Sequence, residues 1–329
     1  MQPGKTFRRG LRSVAIAAVA SGLALTAVGC SSDDSDEASG AQATVVIEHT
    51  LGSTEIDKTP ERVVALGDQW LDAAESLGIE PVGYAAAASV LTGGAPIPWE
   101  PESLAKATVI NPAGDIIEQV AALNPDLILV PNFLVDKPKY EKLSQIAPTV
   151  GSLTPAQVDP WDKQVQTLGR ILDKESEAEK VVADVNGQIE AFAQANPGLR
   201  GKTFLTSMLA SPTQLMVLAD PNDGSSKIFQ QLGMVIPPKM VAEAGAQGRI
   251  GLSPERVGEL NSDFLVTSAM PGMDGAYQKL PGYDTLPAVQ KGAVSNLDII
   301  AVTGLNTPTP LSVPYVLNLM QPGLAKAAA

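Results

Sequence analysis

One cysteine, one histidine and 4% aromatic residues leave this 329-residue chain little for redox, metal or triad chemistry. A single cysteine, Cys30, excludes an intrachain disulfide, so stability has to come from packed cores. The sole histidine, His49, gives too few ligands for a metal site built on His and Cys. A Ser-His-Asp triad on it would lack a nucleophile elbow, and on a first hairpin it reads as a structural polar residue. No G-x-G-x-x-G follows a strand signal and no G-x-x-x-x-G-K-S/T occurs, which removes two phosphate cradles. No catalytic residue and no cofactor is therefore assigned. Base is scarce as well, with 23 Lys and Arg against 36 Asp and Glu and a net charge of −13. Nucleic-acid affinity rests on Lys and Arg neutralising phosphates, so no nucleic acid is expected as a partner. The same surplus of acid repels a polyanionic small molecule as it approaches.

The basic residues that do occur early are grouped. Lys5, Arg8, Arg9 and Arg12 precede an uncharged run of apolar and small residues from Val14 to Gly29. That run is shorter than the roughly 20 residues of a membrane-spanning helix and ends on small residues, as a cleaved export signal does. Ala27-Val28-Gly29 before Cys30 and Ser31-Ser32 after it resemble a bacterial lipoprotein signal, in which diacylglycerol is attached to the cysteine thiol. Ala27 departs from that pattern, which has Leu there. The competing reading is an ordinary secretory signal that ends near a cysteine, and Arg8-Arg9 leaves a twin-arginine route open beside the general one. No acid precedes Asp33, so removal of the signal makes the net charge four units more negative. Residues 1–29 are read as signal peptide and 30–43, rich in Ser, Asp, Glu, Gly and Ala, as a flexible tether. The expected location is the outer face of the cytoplasmic membrane, with the protein anchored through Cys30.

Order is expected from Thr44. VVIEHTLGSTEI reads as two short strands around Leu51-Gly52-Ser53, RVVALG as a β-branched strand, and DQWLDAAESLG as a helix closed by Gly78. Alternation of this kind argues for α/β lobes with largely parallel sheets. EQVAALNPDLILV (Glu118 to Val130) and ERVGELNSDFLVT (Glu255 to Thr267) align without a gap. Each reads as a short helix, a turn on Asn-x-Asp and a buried strand, which implies two similar lobes. Between the copies, Ser176 and Glu179 have capping-box spacing. Val182, Val185, Ile189 and Phe192 then recur on one face up to Asn196-Pro197-Gly198, the pattern of a stiff helix of roughly 30 Å. A preceding helix is expected from Trp161, whose indole reads as structural. The N-terminal lobe is placed at 44–174, the bridging helix at 175–197 and the C-terminal lobe at 198–326.

From about Val45 to Ala325 the chain resembles substrate-binding proteins with two α/β lobes joined by one rigid helix, which serve ABC importers of ferric siderophores, haem and cobalamin. The resemblance is carried by IEHTLGSTEIDKTPERVVALGDQWLDAAESLGIEPVGY, NPDLILV, YEKLSQIAPTV, RIGLSPERVGELNSDFLV and LPAVQKGAV in that order. It implies a monomeric receptor, not an enzyme, that captures a ferric siderophore in a cleft between two Rossmann-like lobes and hands it to a membrane permease. Haem and cobalamin are the rival ligands, and a nucleotide-using α/β enzyme is the rival of a different class. Ligands of α/β lobes sit beyond the carboxyl ends of the strands. There the candidates are Trp70, Tyr84, Trp99, Phe133, Arg249 and Tyr315, with Met208, the 220–224 loop, the 270–277 loop and Asn306 nearby. The scarcity of base favours a hydroxamate or mixed chelate of low charge over a catecholate complex. The resemblance further implies that Glu118 and Glu255, equivalent in the two copies, dock on arginines of the permease.

Overall fold

The structure, a computed structural model, describes residues 44–93 and 96–329. The residues read as signal peptide and tether, Cys30 among them, lie outside the described residues. The first ordered element is the expected hairpin, β1 (Val45–His49) antiparallel to β2 (Gly52–Ile56). His49 accepts from the Leu51 amide at Nδ1 (3.2 Å) and faces the Thr54 hydroxyl with Nε2 (3.0 Å), so its ring braces the hairpin turn.

The first lobe alternates strand and helix. Its elements are β3 (Val63–Leu66), α1 (Asp68–Ser76), β4 (Gly83–Ala85), α2 (Ala87–Thr92), β5 (Thr108–Val109), α3 (Ile116–Ala122), β6 (Leu127–Leu129), α4 (Lys137–Leu143), β7 (Thr149–Val150) and α5 (Trp161–Ile171). The five strands form an all-parallel sheet in the order β5-β4-β3-β6-β7. Successive side chains of a strand point to opposite faces, and here both faces are covered. Val63, Ala65, Leu127 and Leu129 enter one core; Val64, Leu66, Ile128 and Val130 enter the other.

Helix α6 (Glu175–Ala195) joins the lobes. Its 21 residues span about 31 Å, and Ala178, Val185 and Ile189 are its buried stripe. It begins before the expected Ser176, with Lys174 at the N-cap. The cause lies in the turn from α5: Asp173 takes a left-handed φ of 57°, and the Lys174 amide then donates to Gly169. That reversal starts the helix early.

The second lobe comprises β8 (Phe204–Ser211), β9 (Gln214–Leu218), α7 (Gly224–Gln231), α8 (Pro238–Ala244), β10 (Arg249–Leu252), β11 (Phe264–Ala269), α9 (Pro287–Lys291), β12 (Val294–Asn296), α10 (Ile299–Asn306) and α11 (Ser312–Ala328). Its sheet order is β10-β9-β8-β11-β12, in which only β9 runs against the rest. The sequence echo has a structural meaning. Its two strands, β6 and β11, occupy the same place, each parallel to the central strand of its lobe on one side and to the edge strand on the other. The helical halves differ: the first is α3, closed by Asn124 at φ 45°, whereas the second, Pro254–Glu259, is a 3-10 helix. Among the described residues, no helix is long and apolar enough to cross a membrane.

Candidate binding cleft

The carboxyl ends of the first-lobe strands open into a cavity of about 200 Å³. Gly67 turns the chain from β3 into α1 with φ 93°, and a Cβ there would meet Pro131 Cγ at 3.0 Å. Only glycine combines that left-handed backbone with that close approach. The turn delivers Asp68, Gln69 and Trp70 to the cavity wall, and the chain after β6 delivers Pro131 and Phe133. The loop after β7 adds Ser152, Gln157 and Asp159. Asp159 shapes that loop, its carboxylate accepting from the Leu153 and Thr154 amides (2.9 and 2.8 Å) and from Gln164 Nε2 (3.2 Å). Asp68 is committed in the same way, accepting from the Ala87 and Ala88 amides at the start of α2, both at 3.1 Å. Burial raises its pKa in spite of those bonds.

A second cavity, of about 150 Å³, lies at the strands of the other lobe. It is lined by Ser207 and Met208 of β8, Met216 of β9, Arg249, Ser268 at the end of β11 and Asn306. The Ser268 hydroxyl is buried and has no partner among the described residues. The cavities adjoin. Thr307 lines the first and Asn306 the second, and Arg249 Nη1 donates across the gap to Gln157 Oε1 at 3.0 Å. Arg249 Nη2 also pairs with Asp223 Oδ2 at 3.3 Å.

Two further sets of bonds tie the lobes together behind this cleft. Gln69 Nε2 donates to the carbonyls of Asp159 (2.9 Å) and Pro308 (2.8 Å), so one amide bridges both lobes. Asp72, fully buried on α1, accepts from Trp99 Nε1 at 3.1 Å and from the Thr309 hydroxyl. The Trp99 ring lies against Tyr315, with centroids 5.3 Å apart. Its edge also covers Gly304, where a Cβ would come within 2.8 Å of the indole.

These placements sort the candidates. Phe133, 62% exposed, and Arg249 stand on the cleft, one in each lobe. Trp70 is on the wall of the first cavity but only 1% exposed, and its buried Nε1 has no partner among the described residues. Trp99 and Tyr315, expected beside the ligand, lie instead against each other in the contact between lobes. Tyr84, also expected there, is buried in the core and lines neither cavity. Its strand is internal to the sheet, so its ring is taken up by packing. Met208 and Asn306 line the second cavity, whereas Tyr277 is buried. Gln157, Asp159, Ser268 and Thr307 were not singled out in the sequence, although Gln157 and Asp159 follow a strand end and that signal applies to them too.

Glu118 and Glu255 are both exposed, each in the first turn of its helical segment. Glu118 lies on a surface groove with Lys139 and Lys142. Hydrogen bonds from its own amide and from Ser253 hold the Glu255 carboxyl below the usual range.

Known proteins share this arrangement. The Fe(3+)-citrate-binding protein YfmC of Bacillus subtilis is 27% identical over 296 residues, covering 87% of this chain and 89% of the relative. The ferric-anguibactin-binding protein FatB of Vibrio anguillarum is 30% identical over 265 residues, 77% of each chain. Among solved structures, a periplasmic solute binding protein from Mycobacterium smegmatis superposes with a TM-score of 0.74 at 24% identity, covering 87% of this chain and 99% of that one. Streptococcus pneumoniae PiaA in complex with ferrichrome gives 0.67 at 24% identity, covering 85% and 99%. These likenesses fix the fold as two α/β lobes around a cleft. With residues 70–300 matching the profile described as periplasmic binding protein, the chain belongs to the periplasmic binding protein family.

Proposed function

We propose that this protein is the lipid-anchored receptor of an ABC importer, that it captures a ferric siderophore outside the cytoplasmic membrane and that it hands the complex to a permease. As a member of its family it binds a solute and does not transform it. The observation that carries the siderophore reading is the cleft itself, with the exposed Phe133 ring on one wall and the Arg249 fork on the other. An aromatic face packs against the apolar body of a chelate, while a guanidinium donates to its oxygens. Among the described residues no group of three or more His, Cys, Asp or Glu could hold a bare metal ion, and the two carboxylates of the first wall already accept hydrogen bonds, which suits an iron that arrives chelated. Relatives named for ferric citrate, hydroxamate and anguibactin support the same class.

Capture requires breaking the Arg249–Gln157 bond that spans the cleft. The ties through Gln69, Asp72 and α6 lie elsewhere and hold the lobes at a nearly fixed separation. A lipid on Cys30 would keep the receptor at the membrane, and a monomer suffices because one chain supplies both walls. Glu118 and Glu255, exposed on separate lobes, would present two carboxylates to basic sites on the permease, a complementarity that sets orientation and capture rate. Titration of the purified protein with ferric hydroxamates, ferric citrate, haem and cobalamin, followed by tryptophan fluorescence, tests the reading. Saturable binding of a ferric siderophore without turnover is expected. Binding of haem or cobalamin alone would refute it.

A further inference from the structure

The cleft has one positive charge, and that charge has a fixed companion. Arg249 is the only basic side chain among the residues lining the two cavities. Its side chain is 36% exposed, whereas that of Asp223 behind it is 5% exposed. The cation therefore faces the cleft and the anion sits beneath it. Asp223 cannot turn away, because it is also the N-cap of α7. Its Oδ1 accepts from the Ser225 amide at 3.0 Å and the Ser225 hydroxyl at 2.8 Å, which leaves Oδ2 aimed at Arg249. On the facing wall Asp68 and Asp159 add carboxylates and no base.

An approaching anion is thus attracted by one guanidinium and repelled by the carboxylate a few ångströms behind it, in a partly water-excluded site where such forces are strong. An uncharged chelate still receives the full hydrogen-bonding capacity of the Arg249 N–H groups that face the cleft.

Resting on the siderophore reading, we propose that Asp223 sets the charge selectivity of the cleft: by neutralising Arg249 while keeping its fork in place, it makes the receptor favour uncharged or cationic ferric chelates over anionic ones. Asp223 is a specificity-determining residue that acts through Arg249 and does not itself touch the ligand. A receptor for an anionic chelate would need the opposite arrangement, a guanidinium without a buried counter-ion.

The test varies ligand charge at constant shape. Ferrioxamine B carries one positive charge on its free amine; acetylation makes the complex neutral and succinylation makes it an anion. Dissociation constants for all three are measured by fluorescence titration in wild type, Asp223→Asn and Asp223→Ser. Asn and Ser are N-caps as good as Asp, so each variant removes the charge and keeps the cap, with thermal midpoints as the check on folding. In wild type the expected order of affinity is cation, neutral, anion. In both variants the ratio of anion to cation affinity should rise about tenfold, the order expected for one charge acting over several ångströms in a protein cleft, while the neutral complex changes less than threefold. Equal changes for all three ligands would make Asp223 structural only and overturn the proposal, as would a wild type that prefers the succinylated complex. Binding of none of the three by wild type would overturn this inference, whereas the siderophore reading falls only if the wider panel of ferric hydroxamates and ferric citrate also fails to bind.

Discussion

Glu75 stands where a carboxylate is least comfortable. It lies on α1 with Asp68 and Asp72, faces Glu100, and both of its carboxylate oxygens are buried without a hydrogen-bond partner among the described residues. Burial, reinforced by Glu100, raises its pKa from 4.5 to about 8. The same burial, with Asp68 nearby, raises that of Glu100 to about 7, and burial raises that of Asp72 well above its usual value. The folded protein therefore keeps protons that the unfolded chain loses. Stability from these groups is fully present below about pH 4.5, falls as pH rises through the folded values, and is lost above about pH 8. At about 1.4 kcal/mol per pKa unit the full shift of Glu75 would correspond to roughly 5 kcal/mol, and partial solvent access to its side chain reduces this to about 2 kcal/mol. Glu75→Gln keeps the shape and removes the ionisation. Urea unfolding at pH 5, 7 and 9 should show near-equal stability at pH 5 and a variant more stable by about 2 kcal/mol at pH 9. Parallel pH curves for the two proteins would refute this reasoning.

Other consequences are as open to measurement. Arg249→Ala should weaken siderophore binding by about 1–3 kcal/mol and, because it leaves the buried Asp223 carboxylate without its partner, should also lower the thermal midpoint of the free protein; an unchanged dissociation constant would remove it from the site. Cys30→Ser should shift the protein from the membrane to the aqueous fraction with binding intact, and equal partitioning would refute the anchor. Glu118→Arg together with Glu255→Arg should abolish uptake of a radiolabelled ferric complex while affinity stays within about twofold, a change of less than one RT; undiminished transport would contradict the docking role. Gly304→Ala, which forces a Cβ to 2.8 Å from a Trp99 ring pinned by Asp72, should cost about 1–3 kcal/mol in stability, and a neutral result would show that the ring yields.

Much of the fold is legible in the sequence because local and global signals agree. The β-branched run at Val63, the apolar stripe of Val185 and Ile189, and the duplicated Leu-Asn-x-Asp motif each have one physical reading, and the duplication became two strands in equivalent sheet positions. The strand-end rule points to where the two cavities lie, and Phe133 and Arg249 are on their walls. Aromatic residues misled because a sequence does not say which side of an element faces the core. Tyr84 is on an internal strand, and Trp99, in a proline-rich loop that looks exposed, finds its partner 27 positions away in Asp72. Thr307 escaped for a related reason: it reaches the first cavity only because the two lobes dock through Gln69 and Asp72, a tertiary event without a local signal. The second echo helix is a 3-10 segment, Pro254–Glu259, where the first is α-helical, and nothing in the motif itself announces that difference.

The receptor reading stands or falls on where iron is held. A crystal of the protein with a neutral ferric tris-hydroxamate, measured at the iron absorption edge, should give one anomalous peak in the cleft bounded by Phe133, Gln157 and Arg249, with the Arg249–Gln157 bond broken. An iron peak elsewhere, for example in the groove beside Glu118, would contradict it.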